Sequence, residues 1–124
     1  MNKAKRLEVY NKYDGHCAYC GIEIEYKDMQ VDHIKPLVRV PRSKKIEYPE
    51  NDTFDNLICS CKSCNSYKLS EGLEYFRTNI EKQPERLLKY PMVRLAIRYG
   101  LLELKPKPIK FYFEQQTEEN DGKS

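Results

Sequence analysis

Two short stretches decide how this chain is read: Cys17-Ala18-Tyr19-Cys20, and Cys61-Lys62-Ser63-Cys64-Asn65 about forty residues later. Each Cys-x-x-Cys pair makes a small turn that offers two thiolates to one ion, and a tetrahedral Zn²⁺ accepts four. Two disulfides are the competing reading. Five cysteines are an odd number, and the chain carries no secretory signature, so disulfides are disfavoured. A redox role fits worse, because neither pair lies in a βαβ pattern. Cys17, Cys20, Cys61 and Cys64 are therefore expected to hold a structural zinc. Cys59 is expected to be a small buried hydrophobe, with replacement of Cys61 as a ligand its alternative role. His16, beside Cys17, reads as structural or surface, with zinc ligation the alternative.

The rest of the composition suits such a staple. The 124 residues are 40% hydrophobic and 33% charged, which points to one small domain with a thin core. No apolar run is long enough to cross a membrane, and Met1-Asn2-Lys3-Ala4-Lys5-Arg6 opens a charged helix. A soluble, cytoplasmic protein is expected. Net charge is only +3, but it is unevenly spread: Lys35, Arg39, Arg42, Lys44 and Lys45 fall between His33 and Ile46 with no acidic residue. Such runs are usually solvated loops. This one directly follows Asp32-His33, which favours a loop facing phosphates.

Periodicity places these motifs. A helix is expected over 3–13, stopped by Asp14-Gly15. The β-forming residues of 22–26 and 29–34 suggest a hairpin across Lys27-Asp28. A long loop over 35–53 follows, with Pro36, Pro41 and Pro49, and Asp55-Asn56-Leu57-Ile58 returns to the core. A helix is expected from 62 to 69. Beyond residue 70, Leu73, Phe76 and Ile80 repeat at helical spacing, Pro84 opens a further helix, Pro91 interrupts or restarts it, and Gly100 ends the region. Ile109, Phe111 and Phe113 alternate with polar residues as in a one-sided strand. The organisation expected is a core at 1–70, a helical extension with a terminal strand at 71–114, and a polar disordered tail at 115–124.

Between the cysteine turns lie the residues that carry chemistry. A general base works best with a pKa near the operating pH, as free imidazole has, so His33 suits proton abstraction from water. Asp32 offers a hard carboxylate oxygen to a divalent ion. Asn65 offers a neutral amide oxygen that leaves such an ion more positive for phosphate. Strand side chains alternate, so Asp32 and His33 share one site only at a distorted strand end. Asn56, in Phe-Asp-Asn-Leu, reads as a loop stabiliser that also fixes how His33 approaches a phosphate. Lys68, one turn after Asn65, is placed to hold a phosphate or balance charge in the transition state, with a solvated lysine the alternative.

In this order the chain resembles the HNH endonuclease family, in its zinc-containing branch with two Cys-x-x-Cys pairs. The matching text is Cys17-Ala18-Tyr19-Cys20-Gly21, Val31-Asp32-His33-Ile34-Lys35-Pro36-Leu37, Asp55-Asn56-Leu57 and Cys61-Lys62-Ser63-Cys64-Asn65 with Lys68, covering about residues 6–70. The resemblance implies an α+β fold with a ββα-metal core. It also implies hydrolysis of DNA phosphodiesters with one catalytic ion, Mg²⁺ or Mn²⁺, leaving 5′-phosphate and 3′-hydroxyl ends. His33 matches the general base, Asn56 the middle asparagine and Asp32 the metal-binding acid. Asn65 stands where a final histidine is commoner, although RNA-guided CRISPR nucleases also carry an asparagine ligand there. The loop after His33 departs from the short glycine-rich segment of many members. Double-stranded DNA is the implied partner. Two alternatives stand beside this reading: an inactive zinc module that binds nucleic acid or protein, and a nuclease active only within a larger phage packaging or restriction complex.

Overall fold

The computed structural model describes residues 1–36, 38–39 and 46–116. They form two units, Met1–Leu73 with Lys110–Ser124, and Glu74–Ile109. The first unit opens with α1 (Lys3–Asn11), whose N-terminus is capped by Asn2, Oδ1 accepting from the Lys5 N–H at 2.8 Å. The helix stops where Asp14 and Gly15 both take positive φ, 52° and 75°. Gly15 is required there: a Cβ would lie 2.7 Å from Tyr10 Oη, whose hydroxyl donates to the Ile24 carbonyl at 2.7 Å.

Strand β1 (Gln30–His33) does not pair with residues 22–26 as the expected hairpin requires. Its partner is β4 (Leu57–Ser60), antiparallel, with Asp32 opposite Ile58 and His33 opposite Leu57. The backbone of 22–26 is already engaged. The Ile22 carbonyl accepts from the Cys17 N–H at 2.8 Å and the Ile24 N–H donates to the Gly15 carbonyl at 2.8 Å, leaving a single bridge, His16 to Glu23. A 3₁₀ turn at Tyr26–Asp28 then leads into β1. Within the expected long loop, β2 (Val38–Arg39) and β3 (Ile46–Glu47) pair antiparallel, and 3₁₀ turns follow at Pro49–Asn51 and Phe54–Asn56. Val9, Met29, Leu57 and Cys59 form the buried core between α1 and the β1–β4 pair, with Tyr10, Ile24, Tyr26 and Val31 against it. Cys59 is thus the buried hydrophobe expected, and burial pushes its thiol up to about 12.

Helix α2 (Lys62–Lys68) packs against β1 and completes the small α+β, ββα core. In the second unit, α3 (Leu73–Glu81) begins at the boundary, followed by α4 (Gln83–Leu87) and α5 (Pro91–Arg98). Pro84 and Pro91 sit in first turns, where the missing N–H costs nothing, and Gly100 (φ 74°) follows α5.

The terminal strand expected around 109–113 is absent: residues 112–116 are helical. The N–H groups of Tyr112 and Phe113, orphaned at a helix start, donate to the carbonyls of Tyr19 (3.0 Å) and Ala18 (2.8 Å). Glu114 accepts from the Phe111 N–H at 2.8 Å, the reciprocal half of a capping box. Five residues of alternation fit either structure, and the docking of this helix start on the first cysteine turn decides for helix. Residues 117–124, most of the expected tail, lie outside the described residues.

Phe111 is buried, edge-on to Tyr19 at 5.3 Å and stacked with Phe113 at 6.3 Å. Phe111→Ala should lower unfolding free energy by about 3–5 kcal/mol, the usual cost of deleting a core phenylalanine. Urea denaturation of the zinc-loaded protein measures this, and a loss under about 1 kcal/mol would show that the C-terminal segment is not part of the core.

Candidate metal centre and active site

The Sγ atoms of Cys17, Cys20, Cys61 and Cys64 all lie within 4.8 Å of one another, and Cys20 and Cys61 are 3.8 Å apart. Tetrahedral zinc with bonds of about 2.3 Å places its sulfurs about 3.8 Å apart, so the donor set and spacing fit zinc. The first pair is shaped by a tight turn in which the Gly21 N–H donates to the Cys17 carbonyl at 2.9 Å, with Gly21 at φ 81°. The second pair is shaped by the start of α2, where Cys61 is the N-cap and its sulfur accepts from the Cys64 N–H at 3.4 Å. Thiols this close share protons rather than ionise independently. The hydrogen bond with Cys64 holds Cys17 down at about 4, and the same bond raises Cys64. Burial pushes Cys20 up to about 11. One divalent cation would stabilise all four as thiolates. Cys59 and His16 stand outside the group. His16 stacks on Tyr112 at 5.3 Å, and its Nδ1 donates to the Tyr13 carbonyl at 3.1 Å.

Asp32 and His33 end β1 and hold different partners, as strand alternation requires. Asp32 Oδ2 accepts from the Tyr19 hydroxyl at 2.6 Å and pairs with Lys68 Nζ at 3.1 Å. Both contacts fall on Oδ2, so Oδ1 carries neither. Lys68 Nζ also donates to the His33 carbonyl at 3.1 Å, so one ammonium joins the two residues. The Lys68 side chain is 1% exposed and that of Asp32 14%. Lys68 is therefore not the solvated lysine of the alternative expectation. Its stem crosses from α2 into β1 and its charge is committed to Asp32. The sequence shows that Lys68 and Asn65 share a helix face, but not that this face is buried against a carboxylate.

The His33 ring instead meets Asp52, Nε2 to Oδ1 at 3.1 Å, with side chains 25% and 61% exposed. A carboxylate only accepts, so Nε2 is the protonated nitrogen in this contact and Nδ1 of the neutral ring keeps its lone pair. Asn56 holds this arrangement from behind. Its Oδ1 accepts from the Lys35 N–H at 2.9 Å, and its Nδ2 donates to the Lys35 carbonyl at 2.9 Å and the Asn51 carbonyl at 2.6 Å. Lys35 lies two residues after His33 and Asn51 one before Asp52, so a single carboxamide clamps the two segments whose side chains meet. Lys12 supports the same turn, Nζ donating to the carbonyls of Phe54 (3.0 Å) and Leu57 (2.6 Å). Burial lowers the Lys12 pKa, opposed by Asp55. Sequence reading missed Tyr19 and Asp52. Tyr19 stood inside the quoted cysteine motif, whereas Asp52 had no signal of its own.

Asn65 follows Cys64 in the first turn of α2 and is half-buried. Lys35 is exposed, and Arg39 lies on β2. Arg42, Lys44 and Lys45 lie outside the described residues.

Residues 17–71 match the family model described as HNH endonuclease. This segment is an HNH domain. It spans slightly under half of the chain and contains both cysteine pairs, Asp32, His33, Asn56, Asn65 and Lys68. No curated protein matches the chain. Among solved structures, the crystal structure of the Type II-C Cas9 enzyme from Actinomyces naeslundii aligns with 60% of this chain at 26% identity and a TM-score of 0.48. The chain spans 8% of that protein's length. No helix among the described residues is long and apolar enough to cross a membrane.

Two predictions concern this HNH segment. Purified protein should carry one zinc per chain by elemental analysis. Cys64→Ser should lose it, whereas Cys59→Ser should keep it. Lys68→Met should cost about 3–5 kcal/mol, because it strands a buried Asp32 carboxylate. Combining it with Asp32→Asn should recover part of that loss in chemical denaturation, and additive costs would show that the pair is not coupled.

Proposed function

We propose that this protein is a metal-dependent HNH endonuclease that hydrolyses phosphodiester bonds of double-stranded DNA, with His33 as general base. The observation that carries this reading is the His33–Asp52 contact held by the Asn56 clamp, beside an Asp32 carboxylate whose contacts with Tyr19 and Lys68 both fall on Oδ2. With Nε2–H donated to Asp52, the Nδ1 lone pair takes a proton from water. The resulting hydroxide attacks phosphorus in line with the 3′ oxygen. Asp52 keeps the ring in the required tautomer and stabilises the imidazolium that forms. The P–O3′ bond breaks as the new P–O bond forms, the departing 3′ oxygen takes a proton from solvent water, and the products are a 5′-phosphate and a 3′-hydroxyl.

Asp32 and Asn65 would hold the catalytic divalent ion, Mg²⁺ or Mn²⁺. When bound, that ion supplies positive charge to a non-bridging phosphate oxygen and to the departing 3′ oxygen. Lys35 and the run Arg39, Arg42, Lys44 and Lys45 would track the DNA backbone, a sequence-independent grip that weakens with salt. An inactive zinc module makes no demand on the Asn56 clamp or the His33–Asp52 contact, and both are built.

Cleavage of supercoiled plasmid with Mg²⁺ or Mn²⁺ tests the proposal. His33→Ala should lower the rate by about 10²–10⁴-fold, the usual contribution of a general base, with zinc content and DNA affinity retained. Asn65→Ala should instead weaken the ion, so raised Mn²⁺ should partly restore its activity. Undiminished cleavage by His33→Ala, with identical products, would overturn the mechanism. A wild-type protein that binds DNA without cutting it under any divalent ion would favour the inactive module.

A further inference from the structure

Tyr19 sits in the first cysteine turn, between Cys17 and Cys20, and belongs to neither ligand set. Its backbone is held from two sides. The Tyr19 carbonyl accepts from Tyr112, the Ala18 carbonyl accepts from Phe113, and the Ala18 N–H donates to the Cys59 carbonyl at 2.8 Å. Its side chain lies in a residue only 3% exposed, with Phe111 edge-on at 5.3 Å and Phe113 at 6.3 Å. From this aromatic cage the hydroxyl donates to Asp32 Oδ2 at 2.6 Å. A carboxylate only accepts, so the phenol is the donor in this contact.

The two partners of Asp32 do different work. Lys68 brings charge on a flexible stem, and an ammonium is a point charge with little preference for the carboxylate's orientation. Tyr19 brings a directional hydroxyl on a rigid ring, which fixes the carboxylate plane and thereby where Oδ1 points. The ring is in turn fixed by the cysteine turn on which it is mounted.

We infer that Tyr19 is a positioning residue that ties the Asp32 carboxylate to the four-cysteine centre and so sets how Asp32 presents Oδ1 to a divalent ion. This rests on the proposed role of Asp32 as an ion ligand. Partners of ligating carboxylates typically change metal affinity by about 10- to 100-fold when removed. Tyr19→Phe deletes only the hydroxyl and keeps the ring in its cage.

The test is Mn²⁺ titration of the zinc-loaded full chain, read by the electron paramagnetic resonance of free Mn²⁺, on wild type, Tyr19→Phe and Asp32→Asn. Zinc content is measured on the same samples. Tyr19→Phe should weaken Mn²⁺ about 10- to 100-fold with wild-type zinc content. Its cleavage deficit should shrink as Mn²⁺ approaches saturation, because the defect lies in presenting the ligand. Unchanged or tighter Mn²⁺ binding in Tyr19→Phe, with weakened binding in Asp32→Asn, would overturn the inference and leave the ion site standing. Equal affinity in wild type and Asp32→Asn would overturn the ligand role of Asp32 itself, and this inference with it.

Discussion

The constraint on which the first unit depends is the approach of four cysteine sulfurs from two distant turns to within one metal's reach. Beneath them Val9, Met29, Leu57 and Cys59 form one small buried cluster. At about 1.5–3 kcal/mol for each larger apolar side chain, such a cluster offsets only part of the entropy of ordering the chain. A structural zinc contributes on the order of 10 kcal/mol or more to folding in small domains, so the cysteine centre is comparable with this cluster. Its placement matters as much as its strength. The first turn carries Tyr19, the second opens α2 with Asn65 and Lys68, and β4 runs directly into Cys61. Fixing the sulfurs fixes the two surfaces between which Asp32 is held.

What was legible in the chain was local. The cysteine pairs, α1, α2, α3 and the proline-started helices α4 and α5 each announce themselves through spacing within a few residues, which is the range over which turn and helix chemistry acts. The errors came from backbone hydrogen bonds that side-chain periodicity does not report. Residues 22–26 have strand-forming side chains, but the Ile22 carbonyl and the Ile24 N–H are taken by Cys17 and Gly15, so no hairpin with 29–34 can form. Ile109, Phe111 and Phe113 alternate like a strand until the free N–H groups of Tyr112 and Phe113 find the carbonyls of Tyr19 and Ala18. In both cases side-chain pattern was read correctly and backbone hydrogen bonding decided otherwise.

The candidate site divides in the same way. Asp32, His33, Asn56 and Asn65 were visible as residue types in order, set between and beside the two cysteine pairs. Their supports were not. Asp52 is one acidic residue of a charged loop, and only the 3₁₀ turn at Pro49–Asn51 with the Asn56 clamp brings it to His33. The same clamp explains why Asn56 looked ordinary: bonding to neighbouring backbone is what asparagine does in most loops, and here that habit joins two segments whose side chains meet.

The charge balance around Asp32 bears on why Asn65 suits its position under the proposed mechanism. Lys68 is buried and paired with Asp32, so the two bring no net charge to the site. An amide at position 65 adds none. A divalent ion held there would keep nearly its full charge for phosphate, where a second carboxylate would cancel half of it. The cost is affinity, since a neutral protein shell attracts a cation weakly in the absence of substrate. Phosphate oxygens would then complete the shell, making ion and DNA binding mutually reinforcing rather than independent. Lys68 makes this arrangement stable before either arrives: without its ammonium, a largely buried carboxylate would have to take up a proton or remain uncompensated, and in neither form could it wait as a ready ligand.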